Sequence, residues 1–215
     1  MLRFVTCRST KDVGAMLAIF LDTESTGLDF RRHNILEIAF KIIDVSTGEL
    51  RASYNSCISL SSEAWQNKDP SSIEINGFTW EETLKGKPIA VVGKEIIDLF
   101  TSLQIERGKA VFICQNPAFD RSLFSQLIDV YTQEKLHWPY HWLDFASMYW
   151  ALRFRDSMNR GVPFPEQINL SKNEIAKMYG LQEESHPHRA MNGVDHLILC
   201  YKTVVGFGAV PNNVM

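Results

Sequence analysis

The apolar residues of this 215-residue chain form continuous runs typical of buried strands and spaced stripes typical of amphipathic helices. Residues 17–21 are five consecutive apolar positions, which predict a buried strand running into Asp22-Thr23-Glu24. Residues 34–44 predict a second strand, and residues 50–60 alternate as a third. A polar turn at 46–49 joins the last two, so the chain is predicted to open as an antiparallel meander.

The pattern changes after residue 60. Residues 61–72 hold Ser, Asn, Asp and Pro and predict a loop, after which Thr79 is placed to cap a helix ahead of Glu82. Two further strands are predicted at 110–114 and 138–144, and helices at 89–103, 121–131, 145–155, 171–179 and 194–205. The chain is thus predicted to begin with strands and to continue with alternating strands and helices. This order indicates an α/β fold with a mixed sheet and helices on both faces.

Composition narrows the function classes. The net charge of −3 and pI near 6.1 exclude attraction of nucleic acid over the whole surface, so any phosphate binding must be local. The cysteines form no metal-binding or CxxC spacing, which indicates reduced thiols in a cytoplasmic protein; they are Cys7, Cys57, Cys114 and Cys200. No apolar stretch reaches the length of a membrane span, so no membrane partner is expected.

Met16 directly precedes the first predicted strand. Residues 1–15 are therefore predicted to be an N-terminal extension or the result of a misassigned start, and residues 16–210 are predicted to form one domain.

Two acids end the first strand. Asp22 and Glu24 are two positions apart, so their side chains share one face of a strand. Carboxylates held together at the end of a buried strand repel each other and lose hydration, and a shared divalent cation relieves both costs. Oxygen ligands favour Mg²⁺ or Mn²⁺. The alternative is that both side chains are simply solvated at a strand end. Asp120, at the turn between strand 110–114 and the next helix, is either a helix cap or a further acid of this group.

Four short motifs resemble one known family. Residues 22–29 resemble the DxETTGLD signature of the DEDDh 3′–5′ exonucleases, which include the proofreading epsilon subunit of bacterial replicative polymerases. Residues 75–79 are similar to the family's I-H-G-I-T turn, residues 116–120 resemble its HN-x-x-FD motif, and residues 188–190 resemble its HRA motif. The resemblance implies a ribonuclease H-like fold with a mixed five-stranded sheet and helices on both faces.

The resemblance also implies a mechanism. Asp22, Glu24, Asp120 and a fourth acid would hold two Mg²⁺ or Mn²⁺ ions for phosphodiester hydrolysis. His188 would be the general base that takes the proton of the attacking water, with His186, two residues earlier, as the alternative.

The fourth acid is the departure from the family pattern. The family places it five residues after the histidine, where this chain has Gly193, and the next acid is Asp195. A loop with two extra residues would bring Asp195 to the metals. A regular helix would instead turn Asp195 about 200° away from Gly193, and the apolar spacing of Val194 and Leu197 fits that helix. Both interpretations stay open at the level of sequence.

Further positions are implied to contact the terminal nucleotide, namely Ser25, Thr26, Gly27, Leu28, Asn76, Phe78, Asn116 and Phe119. Backbone N–H groups near Thr26 would bind the 3′ hydroxyl, and Leu28 would lie against a base. Packing and base contact are equally open for Phe78 and Phe119.

The expected activity is 3′–5′ removal of nucleoside monophosphates from single-stranded DNA. One alternative is RNA trimming by the same fold, since no residue here indicates which sugar is preferred. Another is a weakly active or inactive module that binds nucleic acid or a polymerase, which the glycine at 193 favours. A proofreading role would need a polymerase partner in trans, and DNA repair is the other pathway expected for the DNA exonuclease.

Overall fold

Five strands form one mixed sheet in the computed structural model, which describes residues 16–208. The strands are β1 Leu17–Ser25, β2 Ile35–Asp44, β3 Leu50–Cys57, β4 Ala110–Cys114 and β5 Trp142–Asp144. Their order is β3-β2-β1-β4-β5. The pairs β1–β2 and β2–β3 are antiparallel, whereas β4 pairs parallel with both β1 and β5. The predicted meander and mixed five-stranded sheet are confirmed, and the proposed extension 1–15 lies outside the described residues.

The helices of the described residues are α1 Ser62–Gln66, α2 Pro70–Asn76, α3 Trp80–Lys85, α4 Ile89–Ser102, α5 Pro117–Leu127, α6 Val130–Lys135, α7 Phe145–Arg160, α8 Lys172–Met178 and α9 Ala190–Val204. None of these helices is long and apolar enough to cross a membrane.

The predicted loop at 61–72 is wrong, because it contains α1 and the start of α2. The side chains of Ser61 and Asp69 accept hydrogen bonds from the first turns of the two helices, and Pro70 occupies the first position of α2. Ser, Asp and Pro favour both loops and helix starts, so composition alone does not separate the two. The predicted cap at Thr79 is confirmed, with a reciprocal capping box to Glu82.

Two helices begin earlier in the structure than the sequence predicts. The helix expected at 121–131 begins at Pro117 as α5 and ends at Leu127, and the last helix begins at Ala190 rather than 194. Asn116, in a left-handed backbone conformation with φ 65°, is the N-cap of α5. Asp120 therefore lies inside the first turn of α5 and does not cap the helix.

The two faces of the sheet bury different neighbours. Ile19 and Leu21 point to the first face, which packs against α4 and α5. Ala18 and Phe20 point to the second face, which packs against α7, α8 and α9. Helices therefore cover both faces, as predicted. Because side chains alternate along a strand, Asp22 and Glu24 continue the row of Ala18 and Phe20 at the end of the second face.

Candidate active site

Three of the predicted acids come together around the end of β1. Asp22 and Glu24 follow each other on the second face, and Asp120 reaches the same strand from α5. The buried Asp120 carboxylate accepts a hydrogen bond of 2.8 Å from the Thr23 hydroxyl. Thr23 thus ties α5 to the strand between the two other acids.

Burial and mutual repulsion dominate the electrostatics of these acids. Burial, opposed by Lys172, raises the pKa of Asp22 to about 6. Burial and the charge of Asp22 raise the pKa of Glu24 to about 8. The pKa of Asp120 lies well above its ordinary value for the same two reasons. The carboxylates are therefore close enough to disfavour one another's charge, which is the condition that a cation relieves.

Two further acids border the site, and sequence reasoning missed both. Glu37 stands opposite Glu24 in the β1–β2 ladder, and its carboxylate accepts a 2.9 Å hydrogen bond from the backbone N–H of Ala190 at the start of α9. Glu184 lies in the loop before α9 with only 3% of its side chain exposed. A charged residue inside the apolar run 35–43 could have indicated Glu37, whereas no local pattern indicates Glu184.

A lysine lies among these acids. Lys172, the first residue of α8, places its ammonium 3.0 Å from Glu184 Oε2 and 3.6 Å from Asp22 Oδ1. The same ammonium donates to the backbone oxygen of Gly193 at 3.3 Å. In the sequence this residue resembles an ordinary helix start after the Ser171 cap, so its role was not predicted.

The structure separates Asp195 from the other acids. Gly193 lies directly against Asp22, so closely that a Cβ built on Gly193 would overlap the Asp22 carboxylate. Asp195 forms an ion pair with Lys41 of β2, and 53% of its side chain is exposed. The chain at this point is regular helix, and two residues of helix rotate a side chain by about 200°. The expectation that a loop brings Asp195 to the metal position is not met.

His188 lies at the edge of the acid cluster. Its Nδ1 is 3.8 Å from Glu184 Oε1, and its backbone N–H donates to the Ile75 carbonyl at 3.0 Å. Burial lowers the pKa of His188, with the charge of Glu184 opposing the shift. The imidazole is therefore neutral near pH 7 and able to accept a proton.

The loop after β1 matches its expected role only in part. The Thr26 N–H itself donates to the Asn34 carbonyl at 2.9 Å, so a 3′ hydroxyl would have to bind other backbone N–H groups near Thr26. Ser25 and Gly27 are buried, with the Ser25 hydroxyl donating to the Gly27 carbonyl. Leu28 is 76% exposed next to them. Of these four positions, Leu28 has the exposure that contact with a base requires.

The turn after α2 is held by internal contacts. Asn76 is buried, and its amide donates to the Ser25 carbonyl at 3.0 Å. The Phe78 ring is buried beneath the guanidinium of Arg189, 4.1 Å from the ring centroid. Arg189 also pairs with Glu82 of α3 at 2.8 Å. Both predicted contact residues, Asn76 and Phe78, therefore join the segment before α9 to the end of β1.

The remaining predicted contacts lie at the start of α5. Asn116 is exposed, and its N–H donates to the Asp144 carboxylate at 3.1 Å. Phe119 is half-buried and packs against the core of the first face. Asn116 is thus accessible to a ligand, whereas packing accounts for much of the Phe119 ring.

The donors, as they are arranged, do not fit two divalent cations. Within residues 16–208, no group of three or more His, Cys, Asp or Glu side chains is arranged to hold a metal ion. The fourth acid is replaced by Gly193, and the Lys172 ammonium stands beside Asp22. The chemistry of the carboxylates suits a hard cation, but the positive charge present is that of a lysine.

The sheet order and its helical layers are those of the ribonuclease H-like fold that the sequence resemblance implies. No family model and no curated protein matches the chain.

Among solved structures, the chain is similar to E. coli exonuclease I in complex with a dT13 oligonucleotide, with a TM-score of 0.68, 20% identity, and coverage of 88% of this chain and 41% of that chain. It is similar to the zinc-bound form of the E. coli exonuclease I complex with single-stranded DNA, with a TM-score of 0.70, 20% identity, and coverage of 88% and 40%. Product-bound exonuclease I gives a TM-score of 0.68 at 19% identity, with coverage of 88% and 43%. The chain thus spans about two fifths of the length of these proteins and shares their fold.

Proposed function

We propose that the chain is a 3′–5′ exonuclease that hydrolyses the terminal phosphodiester bond of single-stranded DNA and releases nucleoside monophosphates. The observation that supports the proposal is the cluster of Asp22, Glu24 and Asp120 at the end of β1, with His188 beside Glu184 at the edge of that cluster. The solved structures of the same fold include exonuclease I bound to single-stranded oligonucleotides, which supports DNA as the substrate.

In this proposal, each group acts through what it contacts. His188, neutral near pH 7, accepts a proton from the water that attacks the phosphorus, and the Glu184 carboxylate beside its Nδ1 stabilises the imidazolium formed. The exposed Leu28 contacts the terminal base. A divalent cation, Mg²⁺ or Mn²⁺, would supply positive charge at the scissile phosphate. Asp22, Glu24 and Asp120 would hold it in an arrangement other than the present one, in which the Lys172 ammonium stands beside Asp22.

The direct test is degradation of 5′-labelled single-stranded DNA with Mg²⁺, with Mn²⁺ and with chelator. We expect a ladder that shortens from the 3′ end in the presence of the cation, because the acids need a positive partner at the phosphate. Asp22→Asn should lower the rate about 100-fold or more, since it removes the acid at the centre of the cluster. The matched control Asp195→Asn alters an acid of α9 outside the cluster and should leave the rate unchanged.

A second candidate function is a nucleic-acid-binding module that does not hydrolyse its ligand. The glycine at 193 and the lysine between the acids favour it. Clear binding of the labelled strand by wild type, without cleavage under any metal condition, would select the module and end the exonuclease proposal. A parallel series with labelled RNA separates the DNA exonuclease from an RNA-trimming enzyme, because a 2′-OH distinguishes the two polymers at a site.

The setting of the activity is also proposed. The described cysteines Cys57, Cys114 and Cys200 carry free thiols, which supports a reducing, cytoplasmic location. Action in DNA repair, or in proofreading with a polymerase bound in trans, would deliver single-stranded 3′ ends to the site.

A further inference from the structure

The ammonium of Lys172 occupies the position where a cation would serve the acid cluster. Three oxygens from three parts of the chain face it, namely Glu184 Oε2 at 3.0 Å, Gly193 O at 3.3 Å and Asp22 Oδ1 at 3.6 Å. Only 12% of its side chain is exposed. The lysine is therefore held inside the site and is not a surface charge that happens to lie near it.

Neighbouring cations have other partners. Lys41 pairs with Asp195 on the far side of α9, and Arg189 pairs with Glu82 while its guanidinium lies over Phe78. Among the Lys and Arg side chains of the described residues, Lys172 is the one within ion-pair distance of Asp22. A single ammonium must balance acids whose charges repel one another.

The distances suit an ammonium and not a metal ion. Mg²⁺ requires oxygens at about 2.0–2.1 Å, whereas N–H donors approach oxygens at about 2.7–3.2 Å. The Glu184 oxygen lies within the donor range at 3.0 Å, and the Gly193 oxygen lies at its outer limit at 3.3 Å. Glycine at 193 leaves the backbone oxygen there as the acceptor, in a place where the family pattern has an acidic side chain.

We propose that Lys172 is a built-in counter-ion of the acid cluster, which takes the place of a divalent cation beside Asp22 and must be displaced before such a cation binds. The chain therefore binds Mg²⁺ and Mn²⁺ weakly, and the lysine sets that affinity. This inference concerns the cation that the cluster holds, and it stands or falls separately from hydrolysis of DNA.

The first test is calorimetric titration of the full chain with MnCl₂, for wild type and for Lys172→Met. Methionine keeps an unbranched side chain of similar length and removes the charge. We expect the variant to bind Mn²⁺ about tenfold more tightly or better, because the metal no longer competes with an ammonium. The matched control Lys177→Met removes an exposed lysine of the same helix α8 and should bind Mn²⁺ as wild type does.

Three results would overturn the proposal. These are equal affinity in wild type and Lys172→Met, weaker binding in the variant, and no binding by either protein at millimolar Mn²⁺. Any of them would leave Lys172 as a structural ion pair to Glu184 and Asp22.

A second measurement needs no substitution and covers the case in which Lys172→Met fails to fold. Acetylation of wild-type lysines by acetic anhydride, read by mass spectrometry, reports which amines are accessible. Lys172 should be protected in chelator and should react at saturating Mg²⁺, whereas Lys177 should react equally in both. Protection of Lys172 that persists at saturating Mg²⁺ would show that no displacement occurs and would overturn the proposal.

Discussion

The side chains of β1 alternate between the two faces of the sheet, and the two faces differ in the residues at the end of the strand. On the first face, Ile19 and Leu21 are fully buried and lead to the core around Phe112. On the second face, Ala18 and Phe20 are equally buried, but the next two positions are Asp22 and Glu24. The first face contributes stability through apolar burial. The end of the second face holds carboxylates that repel one another, which costs stability. One strand thus supports both the core and a site that is costly to fold.

Truncation on the first face gives the largest expected effect on stability. Phe112 is fully buried and stacks on Trp142 with ring centroids 4.0 Å apart. Phe112→Ala should lower the free energy of unfolding by about 3–5 kcal/mol, because it removes buried apolar area and leaves a cavity. Urea denaturation measures the change. Leu143→Ala, at a partly exposed neighbour, is the control and should cost much less. Equal losses for both variants would show that burial of apolar area is not the cause of the effect.

Neutralising an acid on the second face should raise stability, and the gain should depend on pH. The pKa of Glu24 is about 8 in the folded chain and near 4.5 when unfolded. Between these values the folded chain holds a proton that the unfolded chain has released, so the stability of wild type falls as pH rises from 4.5 to 8. Glu24→Gln removes this loss and should gain about 1–3 kcal/mol over wild type at pH 8, and less at pH 5.

Thermal unfolding of both proteins at the two pH values measures this difference. Glu81→Gln, at an exposed glutamate of α3, serves as the control and should show no such pH dependence. A gain that is the same at pH 5 and pH 8 would show that repulsion in the acid cluster is not its cause.

The smallest effect is expected outside both the core and the cluster. Asp195 pairs with Lys41 at the surface, and exposed ion pairs contribute about 0–1 kcal/mol. Asp195→Asn should therefore lower the unfolding free energy by less than about 1 kcal/mol and leave Mn²⁺ affinity unchanged. Chemical denaturation and metal titration check both values. A marked loss of metal affinity would place Asp195 in the site after all.

Much of the fold could be predicted because it depends on local patterns. The apolar runs predict the start of β1 and both ends of β2 to within about a residue, although β1 continues past the predicted residue 21 to Ser25. The Thr79–Glu82 cap is likewise predicted from the sequence alone. The helices α1 and α2 could not be separated from a loop, since their starts use the residue types that loops also use.

The site residues that lie together in one short segment could be predicted from the sequence. Asp22 and Glu24 were placed together by the two-residue repeat of a strand, and helical periodicity gave one of the two interpretations of Asp195. Lys172 and Glu184 were not predictable, because folding brings them from the start of α8 and from a loop. The hydrogen bond from the Thr26 N–H to the Asn34 carbonyl could not be predicted either, because it depends on how the loop after β1 folds back on itself.

The backbone hydrogen bond from His188 to Ile75 has a consequence for how the site opens. It holds the backbone of His188 against the end of α2, just before α9 begins at Ala190. The contact of the Arg189 guanidinium with the Phe78 ring also joins the start of α9 to the segment that follows α2. Local unfolding of α2 is therefore expected to loosen His188 as well, although the two segments lie far apart in sequence.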